Sequence, residues 1–171
     1  MESVEVLYRS YAGTVYWVSY GLLHDREAAM DVTQTVFLRA MGHMRTITGL
    51  RDYQQKAWLC SAAKNASVDL MRKSRREIPV DEPPYAEDHY DASDLPEAEL
   101  ISAEQREEVI ALVDGLPEAY RQPILLYYFA ELGQQEIAKT LALNESTLRS
   151  RLHRAKAMLL HAIEEGGVLH G

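Results

Sequence analysis

The sequence predicts an all-α protein of two small helical domains joined by an acidic, proline-containing linker. Three observations lead there. No proline and few strong turn signals interrupt residues 1–76, whereas Pro79, Pro83, Pro84 and Pro96 crowd the stretch that follows. That stretch holds Glu77, Asp81, Glu82, Glu87, Asp88, Asp91, Asp94, Glu97 and Glu99, and it has no Lys or Arg. Beyond it a helical period resumes, punctuated by Gly115-Leu116-Pro117 and Gly133. The expected division is a first domain at 1–76, a linker at 77–99 and a second domain at 100–171.

In the first domain, helices are expected at about Ser3 to Leu23, Asp25 to Met44 and Gln54 to Arg76, with Thr46 to Tyr53 as a loop around Gly49. Asp25 is the expected N-cap of the second, because its short carboxylate can accept from a backbone amide of the first turn. Ala29, Val32, Val36 and Ala40 fall on one face of that helix at 100° per residue, which suits a core. Asp31, Gln34, Leu38 and Met41 form a mixed polar and apolar stripe on the other side, with Phe37 beside it. Such a stripe suits a partner helix or groove. The third helix ends in a basic run, Arg72, Lys73, Arg75 and Arg76. Cations complement a helix C-terminus, but four in five residues exceed that need, and phosphate binding accounts for them more economically. Asn65, about two turns earlier, carries an amide suited to a base edge or to an internal hydrogen bond.

The linker explains the charge. The chain of 171 residues has a formal net charge of −8, and the nine carboxylates of residues 77–99 leave the remainder at +1. Too few apolar side chains lie in the linker to offset the entropy of ordering it, so a solvated spacer is expected.

The second domain opens with Glu104 to Asp114, with Val109, Leu112 and Val113 inward. Glu118 to Ala130 follows, with Pro123 near its first turn and Ile124 to Phe129 as core. Next come Gln134 to Leu141, a turn through Ala142, Leu143 and Asn144, and a helix from about Ser146 to Ile163, capped by Ser146 or Thr147. Helix, tight turn, helix is a DNA-binding arrangement. On the last helix Leu148, Leu152, Ala155 and Leu159 make the inward stripe. Ser146, Arg149, Ser150, His153, Arg154 and Ala157 lie opposite, with Thr147 and Arg151 on one flank and Lys156 on the other. Small and donor-bearing side chains suit the major groove, where Arg bonds guanine O6 and N7. The recognition set is therefore Ser146, Thr147, Arg149, Ser150, His153 and Arg154.

Other functions are disfavoured. HExxH, GxSxG, GxxxxGK[ST] and GxGxxG are all absent, and Cys60 is the only cysteine, so no catalytic role, cofactor or metal is expected. No apolar run approaches a membrane span, and the start of the chain lacks a secretory pattern, so a cytoplasmic protein without membrane insertion is expected. The triplets at Asn65 and Asn144 that match a glycosylation site are then chance.

Leu116-Pro117-Glu118-Ala119-Tyr120-Arg121, Gln135-Glu136-Ile137-Ala138 and Ser150-Arg151-Leu152-His153-Arg154-Ala155-Lys156 resemble the fourth region of bacterial RNA polymerase sigma factors of the extracytoplasmic-function type. Asp31 to Leu38, and Ala57-Trp58-Leu59 through Asn65 and Asp69, resemble the second region of the same family, in the same order and spacing. The resemblance implies that Asp31, Gln34, Phe37 and Leu38 dock on the clamp coiled coil of core RNA polymerase. It implies that Asn65, Asp69, Arg72, Lys73, Arg75 and Arg76 serve the minus-10 element of promoter DNA, and that the loop Thr46 to Tyr53 captures a flipped base. The last helix would read the minus-35 element, the linker would thread the polymerase's RNA path, and an anti-sigma factor would regulate the protein. The chain departs from the family pattern at Gln55 and Lys56, where an aromatic is usual and Tyr53 stands in, and at Ala142, where Gly is usual. A stand-alone repressor, dimeric on palindromic DNA, or a helical protein adaptor would each explain only one of the two motif sets.

Overall fold

The computed structural model describes residues 3–74 and 103–166, and every regular element among them is helical. The chain divides into two compact units, Met1–Ile78 and Pro79–Gly171. The linker expected at 77–99, together with Arg75, Arg76 and the tail 167–171, lies outside the described residues.

In the first unit α1 spans Val4–Leu23. Ser3 Oγ accepts from Val6 N at 3.4 Å, and His24 stops the helix in the left-handed region at φ 53°. The helix α2, Arg26–Met41, begins as expected, with Asp25 Oδ1 accepting from Ala28 N at 3.0 Å. It ends three residues early, because its last turn tightens into i−3 bonds from Gly42 N to Arg39 O at 3.0 Å and His43 N to Ala40 O at 2.9 Å. The expected loop is partly helical: Met44–Thr48 forms a short α3, held by the fully buried Ile47. The long α4, Asp52–Ser74, starts with the Gln54 side chain reaching back to Arg51 N at 3.0 Å, half of a capping box.

Leu7, Val15 and Val18 of α1, Ala29, Val36 and Ala40 of α2, and Leu59 and Ala63 of α4 are fully buried. The four-residue spacing of Val32, Val36 and Ala40 produces that contact, and alanines at the crossings allow close approach. The hydroxyls of Ser19 and Thr33 enter this core bonded to the carbonyls of Val15 and Ala29, at 2.8 and 2.7 Å, so neither leaves a polar atom stranded. Gln55 fills its non-family position structurally: it is buried, and its Nε2 donates to Ile47 O at 3.0 Å, fastening α4 to α3.

The second unit contains α5 (Ala103–Asp114), α6 (Glu118–Ile124), α7 (Gln134–Leu141) and α8 (Glu145–Gly166). Pro123 is the sixth residue of α6, just past its first turn, so it removes an interior backbone donor. Directly after it the helix widens into a π turn over Leu125–Phe129, where Ala130 N bonds Leu125 O at 3.0 Å. Ile124, Leu125, Leu126, Ile137 and Leu148 are fully buried together in this unit.

Between α7 and α8 the chain reverses through a Schellman motif: Leu143 N bonds Ala138 O at 2.9 Å and Ala142 N bonds Lys139 O at 3.3 Å. That geometry puts Ala142 at φ 56°, ψ 45°, a conformation its Cβ disfavours. Asn144, rather than Ser146 or Thr147, caps α8, with Oδ1 accepting from Thr147 N at 2.8 Å. Ala142→Gly should relieve the strain and raise stability by about 1 kcal/mol. Urea unfolding of the full chain checks this, the midpoint rising with an unchanged slope.

Candidate nucleic-acid interface

On α8 the inward stripe lies where the period put it, with Leu148, Leu152, Ala155 and Leu159 all buried. Ser146, Arg149, Ser150 and His153 are exposed, and Thr147 and Arg151 are half-buried. Beyond His153 the helix is enclosed from more than one side. Ala157 is 1% exposed and Leu160 9%. Arg154 is 9% exposed, so the structure turns it into the unit and removes it from the outward face on which the sequence reading put it. The sequence missed this because periodicity describes one packing surface, whereas the stretch of α8 just beyond His153 is covered on a wider arc, with Arg154, Ala155 and Ala157 all buried. Lys156 also belongs to the fold: its ammonium lies 4.3 Å from the Tyr127 ring centroid, and burial pushes it below the usual lysine range. What remains outward is the first two and a half turns of α8, the N-terminal part that a recognition helix presents to base edges.

At the mouth of this face, Ser146 Oγ donates to Asn144 Oδ1 at 3.0 Å. Arg149 Nη1 lies 3.8 Å from Glu145 Oε2, an exposed pair one turn apart. The helix thus begins one residue earlier than expected and brings a carboxylate onto the polar face.

In the first unit a shallow groove of about 570 Å³ runs along α4, lined by Arg39, His43, Leu50, Tyr53, Trp58 and Asn65, among others. Asn65 is exposed, which excludes the internal amide reading. His43 Nδ1 donates to Arg39 O at 2.9 Å, and its ring sits 5.5 Å from Trp58, tilted by 49°. Tyr53 is 66% exposed at the same groove. Rings bordering a groove with a guanidinium and an amide can stack and bond an unstacked base. His43 was not foreseen, because it sits between two helices where periodicity carries no information. Past Asn65, Asp69 and Arg72 pair with each other at 4.0 Å with both side chains well exposed, and Lys73 is exposed too.

A second groove, of about 500 Å³, lies between the start of α1 and α2, lined by Val4, Tyr8, Gln34, Phe37, Leu38 and Met41, among others. Leu38 is 67% exposed and Met41 58%, with Asp31 and Gln34 also outward. Phe37 differs. It is 6% exposed and meets Tyr8 edge to face at 5.0 Å, so it is the floor of the groove rather than part of the outward stripe. Tyr8 and Val4 were invisible to the reading of α2 alone because they come from another helix. No helix among the described residues is long and apolar enough to cross a membrane.

Residues 7–77 match the family model "Sigma-70 region 2", and residues 106–159 match "Sigma-70, region 4". The chain is 30% identical over 160 residues to the ECF RNA polymerase sigma factor SigK of Mycobacterium ulcerans, covering 88% of this chain and 80% of that protein. The chain belongs to the ECF sigma factor family. It is 27% identical over 158 residues to ECF sigma factor SigM of Bacillus subtilis (92% and 93% covered), and 29% over 169 residues to SigL of Mycobacterium tuberculosis (96% and 91%). It is a promoter-recognising sigma factor for transcription initiation. The groove along α4 lies within this sigma factor's region 2 match, the groove between α1 and α2 lies within it except at Val4 and Glu5, and the outward turns of α8 lie within its region 4 match.

Adjacent residues of α2 should separate packing from surface. Phe37→Ala should cost this sigma factor about 3 to 5 kcal/mol of stability through the void it leaves. Leu38→Arg should change stability by no more than about 0.5 kcal/mol. Thermal unfolding of both variants checks the contrast.

Proposed function

We propose that the outward turns of α8, through Ser146, Thr147, Arg149, Ser150 and His153, read the minus-35 element, with Arg154 supporting the helix from within. The observation that carries this reading is the polar, cation-bearing exposed face of the first turns of α8, from Ser146 to His153. Asn65, Asp69, Arg72 and Lys73, with Arg75 and Arg76 beyond the described residues, serve the minus-10 element. The groove at His43, Tyr53 and Trp58 receives an unstacked base, whose flipping costs a few kcal/mol that stacking offsets.

Asp31, Gln34 and Leu38 dock on the clamp coiled coil of core RNA polymerase, with Met41 extending the apolar contact and Phe37 supporting it. The exposed Leu38 and Met41 beside an apolar groove suit a helix from another protein. The functional division is 1–76, 77–99 and 100–171, and the acidic segment threads the polymerase's RNA path. The factor has no catalytic activity of its own, acts in the cytoplasm and is held in check by an anti-sigma factor that covers these faces.

Transcription with purified core polymerase tests the function: added factor should give promoter-dependent transcripts. Binding to palindromic duplex without core, and no transcripts, would instead establish a stand-alone repressor. Arg149→Ala should lower minus-35 discrimination by about 1 to 3 kcal/mol, read from transcription of base-substituted promoters. Leu38→Arg should lower core binding without changing the minus-35 preference of the complexes that still form, and competition against the unaltered factor for limiting core measures the loss.

A further inference from the structure

We propose that Glu145 is a specificity-determining residue that works with Arg149 as a reading pair of two signs: Arg149 takes a guanine, and Glu145 takes an exocyclic amino group on a neighbouring base. The inference rests on the proposed minus-35 reading by α8 and adds a residue which that reading does not use.

The pair is at the surface. Glu145 Oε2 lies 3.8 Å from Arg149 Nη1, and the two side chains are 48% and 57% exposed. An i, i+4 pair in water contributes little to stability, so stability gives it little reason to be there. An acid in the first turn does favour the helix dipole. Its placement four residues before Arg149 has a further consequence, because any approach that puts Arg149 against DNA carries Glu145 in with it.

A carboxylate there offers only acceptors. Against an unmatched sequence it meets phosphate oxygens and acceptor edges of bases, while Arg149 turns to a phosphate and abandons it. Both charges are then desolvated at a loss. Against a guanine beside a base with an amino group in the major groove, the guanidinium fork and the carboxylate are both satisfied. Cytosine N4 and adenine N6 are the two donors that qualify. Asn144 Oδ1 is already committed, since it accepts from both Thr147 N and Ser146 Oγ. The hydroxyls of Ser146 and Thr147 can donate or accept, whereas Glu145 can only accept and brings a full negative charge to that end.

The test uses the full chain assembled with core polymerase, selecting from promoters randomised in the minus-35 region. The unaltered protein should enrich a guanine and, next to it, a cytosine or adenine. Glu145→Ala should keep the guanine and lose the neighbouring preference by roughly tenfold. Its binding to unrelated duplex should strengthen, with a log–log salt slope steeper by about one. Glu145→Gln separates the two donors: its remaining carbonyl acceptor should weaken a preference for cytosine, whereas a preference for adenine should be kept, since an amide bonds adenine N6 and N7 together. An unchanged selected sequence and salt slope for Glu145→Ala, while Arg149→Ala alters the selection, would overturn the role of Glu145 and leave the α8 reading intact. An unchanged selection for Arg149→Ala would overturn that reading itself.

Discussion

The rotation of α8 about its own axis is set by the burial of Leu148, Leu152, Ala155 and Leu159, and the chemistry of its outward face follows from it. Those four side chains must leave water, and at 100° per residue their burial leaves only one orientation for the rest of the helix. Ser146, Arg149, Ser150 and His153 are outward as a consequence. The same packing interrupts the outward face just beyond His153, where Arg154 and Ala157 are buried. A recognition surface two and a half turns long needs the buried remainder of the helix to hold it steady.

The first unit uses the same constraint for different solvents. With Val32, Val36 and Ala40 inward, α2 shows Leu38 and Met41 to water as an apolar edge. The groove along α4 carries Arg39, Asn65 and a ring pair, groups that suit a polyanion with stacked bases. Contacts to phosphate weaken steeply with salt, whereas apolar contacts do not. A factor built on both can hold polymerase under conditions that loosen its grip on DNA.

Charge placement fits that division of labour. The net charge of −8 opposes approach to DNA at a distance, while the acidic residues that cause it are concentrated at 77–99, in the stretch that follows α4 and well before α8. Such a chain is poorly suited to search DNA alone and better suited to do so when carried by a larger enzyme.

By itself the sequence determined the helical class, the two units, the α2 and α8 core stripes, the Asp25 cap and the bounds of α7, because each is a matter of local period or local capping. Tertiary structure alone decided which polar residues near a stripe stay outside. Arg154 and Phe37 share the sequence neighbourhood of exposed residues, and both are buried by helices that periodicity cannot see. It also decided the short α3, which Ile47 anchors from a distance, and the groove of His43 and Trp58, whose rings meet across about fifteen residues of chain. A local pattern reports what one helix needs to bury, but only the neighbours that come to cover it determine what it can still show.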